Sequence, residues 1–497
     1  MGETSRRPVR ISRRKFIAGA AATGAIVTAG GASAAVLMHE RGGAKTATLD
    51  PGGLRVATPV VSRALEDPGV RLRHLLRRTT FAALPADVQR FSGQPLDHVV
   101  DQLLDVDAID DGATDARLAS FSYDLTKPAD IVSWWLARMT LTRRPLVERM
   151  TLFWHGLLTS GIEKTGARRA SLLLDQNNFF RAHAFDAFDV LLKGVVRDPA
   201  MMLWLDLETS KVGHPNENYA RELMELFTLG AGNYSEQDVR ESARAHTGYA
   251  LAARGTQFVF RPAQHDNGEK TFLGRTGNFD ADAIVDVILA QPAAARHFAR
   301  KLFEEFAYPA PDDATVAPIA AVARTSGFDT KAVTRAVLTS DAFYSPQAYR
   351  AIVKSPTAYV AGAARLLGVE GNGRALAAAS RSMGQVLFDP PNVAGWPGGR
   401  SWIGTSTWFA RVNFAVALVN GAGTGAIFSL PPASSTDALA HAALLTVDGQ
   451  LAPATKSALQ AYLDDGAGFG AVTKAERDDR TRGLVALLLA SPEYQLA

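Results

Sequence analysis

From about residue 61 to the end of this 497-residue chain, apolar positions recur at helical spacing, and the strict alternation that marks half-buried strands is rare. Leu146, Met150, Phe153 and Leu157 follow one another at helical intervals behind Pro145, a residue suited to a first helical turn, and the run stops by Gly161. Ser235 and Asp238 form a capping box that opens a helix running to Gly248. Between Pro215 and Gly230, a third helix carries an apolar stripe of Tyr219, Ala220, Leu223, Leu226 and Phe227. The exception is the stretch 256–261, Thr-Gln-Phe-Val-Phe-Arg, which reads as a short strand beside a turn. The pattern predicts a mostly α fold: a large multi-helix single domain with long ordered loops and at most a short β hairpin. A shift to Gly, Ala, Ser and Pro at 420–436 divides a main helical body, 61–430, from a C-terminal helical segment, 431–497, packed on it.

Composition adds limits. With 47% hydrophobic and 21% charged residues the chain can bury a large core. The formal charge of +3 is concentrated at the start: residues 1–34 hold Arg6, Arg7, Arg10, Arg13, Arg14 and Lys15 against Glu3, and without them it becomes −2. A general attraction to nucleic acid therefore has no basis. Ser12-Arg13-Arg14-Lys15-Phe16-Ile17, an apolar run and Ala32-Ser33-Ala34 resemble a twin-arginine export signal over 1–34, with a linker at 35–60. The expected location is periplasmic, cell-surface or extracellular, with a membrane partner only if the signal stays uncleaved. The chain has no cysteine, so disulfides, thiolate metal sites and iron–sulfur clusters are excluded. Any divalent metal cofactor would need His, Asp, Glu or backbone ligands.

The densest candidate chemistry lies in NENYARELMELFTLG, 216–230. Asn218, Glu222 and Glu225 follow a second stripe at i, i+4 and i+7. Arg221 shares i, i+4 spacing with Glu217 and Glu225, as solvent-exposed ion pairs also do. The short link at 231–235 predicts an antiparallel hairpin, which sets His246, on the apolar side of the next helix, opposite residues near 219. His246 would then meet Asn218, Arg221 and Glu222. Two carboxylates and an imidazole from facing helices are how bundles build metal sites, so Glu222, Glu225 and His246 are the candidate ligands. Both readings stand open: a metal site, or a satisfied core histidine beside a solvated face.

Further candidates lie elsewhere. HDNGEKTFLG, 265–274, offers His265, Asp266 and Lys270 on a turn-rich stretch. His155 follows Phe153 and Trp154 and reads first as a core histidine. DPPNVAGWPGGRSW, 389–402, holds Trp396 and Trp402, which either stack on a sugar or anchor a loop. The sequence contains neither a G-x-S-x-G elbow nor an H-E-x-x-H zinc motif.

Taken together, RHLLRRTTF (73–81), ERMTLFWH (148–155), NENYARELMELFTLG, YSEQDVRESARAHTGY (234–249), HDNGEKTFLG, VKSPTAYV (353–360) and MGQVLFDPPNVAGWPGG (383–399) closely resemble the DUF1800 family, from about residue 70 to LLLASPEYQ near the end. The resemblance implies a large bacterial protein of unknown function, commonly exported by the twin-arginine route and often encoded beside sulfatase-like DUF1501 proteins. One departure is Gly156, where the family tends to carry Asn followed by His.

Two functions of different class follow as expectations. The first is an exported, metal-assisted hydrolase of an envelope or extracellular polymer, such as a polysaccharide. There Glu222, Glu225 and His246 hold the ion, and His265, Asp266 and Arg221 are the catalytic groups. Asn218, His155, Lys270, Trp396 and Trp402 contact substrate. The second is a non-catalytic partner or scaffold of an exported DUF1501-type protein.

Overall fold

A computed structural model describes residues 63–252, 254–421, 434–466, 469–470 and 472–497. The signal at 1–34, the linker at 35–60 and most of the 420–436 boundary lie outside the described residues. Within them stand 23 α-helices and four short strands, the mostly α, single-domain architecture that the apolar spacing predicts. No described helix is long and apolar enough to cross a membrane.

The predicted helix ends recur in the structure. Pro145 occupies the first turn of the Pro145–Leu157 helix. Ser235 and Asp238 close a reciprocal capping box on the Glu236–Ala245 helix, which satisfies two otherwise orphaned N–H donors. The 216–230 stretch departs from expectation in its second half: an α-turn at Asn218–Glu222 passes into a π-helix, Leu223–Thr228. There Leu229 N–H donates to Met224 O, five residues back, at 2.8 Å. The wider turn carries an extra residue and rotates later side chains out of the predicted stripe.

The strand at 256–261 is present as Gln257–Phe260, paired antiparallel with Tyr249–Ala252, Tyr249 lying opposite Phe260. A second two-stranded sheet, Lys270–Phe272 with Arg275–Gly277, corrects the expectation of at most one hairpin. Its turn places Leu273 and Gly274 at φ values of 47° and 76°, the left-handed pair that suits a two-residue hairpin loop.

Two apolar clusters build the core. One gathers Leu75, Trp154, Phe188 and Phe298; the other gathers Trp135, Tyr359, Leu418 and Val485. Helices Ser435–Val447, Pro453–Asp464 and Lys474–Leu489 belong to the second cluster together with residues 131–139 and 358–366. The C-terminal segment thus completes a core that the chain begins more than 300 residues earlier.

A buried charge network clamps three helices together. Glu148, 1% exposed, accepts hydrogen bonds from Trp135 Nε1 at 2.7 Å, Arg138 Nε at 2.9 Å and Arg181 Nε at 2.6 Å. Burial pushes its carboxyl upward, but Arg181 and then Arg138 outweigh burial and hold it below the ordinary range. With a further bond from Arg181 Nη2 at 3.0 Å, four directed hydrogen bonds to one buried carboxylate fix how Pro128–Leu141, Pro145–Leu157 and Ser171–Ala182 meet.

Candidate functional site

The 218–246 hairpin forms as predicted, but Tyr219 rather than the polar stripe faces His246. Their rings meet edge to face with centroids 5.1 Å apart. His246 Nδ1 lies 2.6 Å from the Ser242 carbonyl oxygen, which can only accept, so Nδ1 carries the proton. Its Nε2 is buried without a partner, as are Tyr219 Oη and Ser242 Oγ. Burial lowers the imidazole pKa to about 4.

The polar residues of 216–230 turn to other partners. Arg221 grips Glu236 with both arms at 2.8 and 2.9 Å and reaches Glu217 at 3.2 Å. Glu225 accepts from Tyr234 Oη at 2.6 Å. Asn218 Nδ2 donates to Asp206 at 3.1 Å. Glu222 is half-buried, and partial burial, then the nearby Glu225, raise its pKa. Glu222, Glu225 and His246 are therefore not brought together. Among the described residues no group of three or more His, Asp or Glu side chains is placed to hold a metal ion. The π-helix turns Glu225 toward Tyr234, and His246 faces the apolar stripe.

The 265–274 residues support one another. His265 Nδ1 donates to Thr247 O at 2.7 Å. Asp266 receives Arg244 at 2.7 and 3.2 Å and the Gly268 N–H at 2.8 Å. Arg244 holds the Asp266 carboxyl below its ordinary range. The buried Lys270 donates to the carbonyls of Asp266 at 2.7 Å and Gly268 at 3.0 Å and to Asn278 at 3.3 Å, satisfying the inside of the turn.

A different place gathers unpaired charge. Four of the seven stretches that carry the family resemblance wall one cavity of about 290 Å³. RHLLRRTTF supplies Arg77 and Phe81; ERMTLFWH supplies Arg149 and Leu152; VKSPTAYV supplies Lys354 and Ser355; the 383–399 stretch supplies Gln385 and Trp396. Glu304, Glu305 and Trp402 complete the polar and aromatic wall. His155 stands behind Trp396 at a centroid distance of 5.4 Å, and its Nε2 accepts the Phe388 N–H at 3.1 Å. It is a buried prop for the loop rather than part of the cavity wall.

Electrostatics make this cavity unusual. Arg77, 7% exposed, pairs through Nη1 with Asp448, while its buried Nη2 has no partner. Arg149 Nε lies 2.9 Å from Glu305 Oε1. Burial raises the Glu305 carboxyl against the pull of Arg149 and Arg78. Lys354 is 4% exposed, and its Nζ sits 3.5 Å from the Tyr494 ring centroid with no hydrogen-bond acceptor or counter-ion among the described residues. Burial, then Arg77, hold its pKa well below that of an ordinary lysine.

Trp396 and Trp402, read from the sequence as either stacking on a sugar or anchoring a loop, line the cavity, whose charged groups the sequence reading did not single out. One signal was available: Arg149 is flanked at i−3 and i+4 by Leu146 and Phe153, so a charge sits on an apolar helical face. Lys354, ahead of a helix cap, carries no comparable local sign. The departure at Gly156 also falls on this wall, where a Cβ would meet nothing within 4 Å.

Residues 74–496 match the family model described as "Protein of unknown function (DUF1800)". No curated protein and no solved structure matches the chain.

Proposed function

The chain belongs to the DUF1800 family of proteins of unknown function, and on that premise we propose an exported enzyme that acts on an envelope or extracellular polymer at the Arg77–Arg149–Lys354 cavity. Export is by the twin-arginine route, to the periplasm, cell surface or medium. One observation carries the reading: a lysine amine without acceptor or counter-ion faces a cavity whose wall also holds a carboxyl pushed toward its protonated form. Burial, then Arg77, favour the uncharged amine of Lys354, and burial favours the protonated carboxyl of Glu305, so Lys354 serves as base and Glu305 as acid. Trp396 and Trp402 offer flat apolar faces to a sugar ring.

A metal-assisted step is given no role, because the proposed donors do not fit one ion. Glu225 is engaged by Tyr234, and the His246 ring is turned to Tyr219. A second reading, a non-catalytic partner of an exported DUF1501-type protein, draws support from the 216–246 network, whose Arg221, Glu225 and Glu236 side chains serve helix packing.

The test is depolymerisation of purified envelope polysaccharides by the mature protein. Activity lost in Lys354→Met and kept in Glu222→Ala is expected. Activity that follows Glu222 and a stoichiometric metal would restore the metal reading. Co-purification with a DUF1501-type protein, without activity on any polymer, would favour the scaffold.

A further inference from the structure

We infer that the cavity takes an acidic sugar, a uronate, and that the bond is cut by β-elimination rather than hydrolysis; this rests on the enzymatic reading above. Arg77, Arg149 and Lys354 are each more than nine-tenths buried and line one small cavity. A buried donor left unpaired costs about 1–3 kcal/mol. Here the buried Arg77 Nη2 is unpaired, and Lys354 Nζ, packed on the Tyr494 ring, has no hydrogen-bond partner among the described residues. Behind the wall, the fully buried Arg78 has Nε and Nη1 without partners, which adds positive potential from the same helix. Asp448 answers one arm of Arg77; the second arm has no such answer. A carboxylate on the ligand supplies the acceptor that the free arm of Arg77 lacks. A neutral glycan would leave the free arm of Arg77 without a charged acceptor.

The same groups suit elimination. A uronate carboxylate neutralised by guanidinium acidifies the C–H bond next to it. The Lys354 amine takes that proton, the electron pair forms a C=C bond, and the C–O bond at the β carbon breaks. The leaving oxygen takes a proton from Glu305. One proton is accepted and one donated, so the step balances without water or oxidant. Elimination asks for a base beside a neutralised carboxylate and draws on no second reactant.

The experiment incubates the full mature protein with oligogalacturonate, oligoalginate and hyaluronan fragments, and with neutral cello-oligosaccharides and sulfated galactan fragments as controls. Ultraviolet absorbance of the conjugated double bond and newly formed reducing ends are followed together. The expected result is an unsaturated product from at least one uronate and from neither control. Turnover should fall about 10³-fold in Lys354→Met, the range for loss of a positioned base, with uronate affinity in that variant within a few-fold of the parent. Circular dichroism checks its fold. Trp396→Ala, at a half-buried position, provides a second variant that should raise KM and spare kcat. Reducing ends without unsaturation would overturn elimination and leave the enzymatic reading standing. Equal cleavage of neutral glycans would overturn the acidic substrate. Uronates bound by the parent but left uncut would overturn both readings.

Discussion

His155 accepts at Nε2 the backbone N–H of Phe388 across 3.1 Å, joining the Pro145–Leu157 helix to the stretch that carries Trp396. Accepting that bond requires an unprotonated Nε2, and burial alone lowers the imidazole pKa to about 3. The position of Trp396 in the cavity wall therefore depends on a histidine that stays neutral.

This neutrality sets a pH dependence. In the unfolded chain His155 takes a proton near pH 6.5, whereas the folded protein resists until about 3. Its contribution to stability is thus complete above 6.5 and is lost as pH falls toward 3. His246 and His297, both lowered to about 4 by burial, act in the same direction. Thermal midpoints should fall steadily from pH 7 to 4, and His155→Gln, which keeps an acceptor for Phe388 but does not titrate, should show a shallower slope. A slope unchanged in the variant would remove His155 from the account.

Glu148 should be among the least replaceable charges in the protein. Glu148→Gln leaves the Arg138 and Arg181 guanidinium groups facing a neutral amide in a buried setting. Breaking one side of such a pair costs about 3–5 kcal/mol. Arg138 keeps Asp115 at 2.6 Å, so the loss should lie at the lower end. Urea denaturation reads it directly; a loss below about 1 kcal/mol would show that the clamp contributes little beyond its apolar surroundings.

Asp198 runs the other way. Its carboxyl is pushed up to about 7, mainly by burial, despite accepting Gln176 Nε2 at 2.7 Å and Met201 N–H at 2.8 Å. A folded pKa above the unfolded one means that stability falls as pH rises from about 4 to 7. Asp198→Asn retains an oxygen for both donors. It should match the parent at pH 4 and exceed it by up to about 4 kcal/mol at pH 8. Equal stability at both pH values would place the ionised carboxylate in contact with water.

Legibility in the sequence followed the range of the determining interactions. The Ser235 and Asp238 capping box and the approach of His246 to position 219 were readable because caps and a short link fix them locally. One residue of phase decided that Tyr219, and not Asn218 or Glu222, meets the imidazole. The π-turn after Glu222 has no comparable local sign, so the expected stripe through Glu225 failed there. The cavity was illegible for a different reason. Arg77, Arg149, Glu305 and Lys354 come from segments up to 277 positions apart, and their character depends on mutual burial that no single stretch displays.

Gly156 and Gly395, which meet where the Trp396 loop crosses the Pro145–Leu157 helix, should respond in opposite ways to the same change. Gly156 lies in the last turn of its helix, and a Cβ there meets nothing within 4 Å. Alanine is the better helix former, so Gly156→Ala should stabilise the protein by about 0.5 kcal/mol. Gly395 sits at φ +77°, with its Cβ position 2.8 Å from the Gly156 carbonyl oxygen. There alanine meets both an unfavourable left-handed backbone and a backbone atom that the helix cannot move. Gly395→Ala should therefore cost about 1–3 kcal/mol and loosen the loop that carries Trp396, seen as a red-shifted, more quenchable tryptophan emission. Gly156→Asn extends the comparison: it places an amide in the cavity without disturbing the fold. If the space beside Gly156 admits part of the ligand, affinity should fall while the thermal midpoint stays unchanged. An unchanged affinity would put the bound ring nearer Lys354 and Trp402, away from this end of the wall.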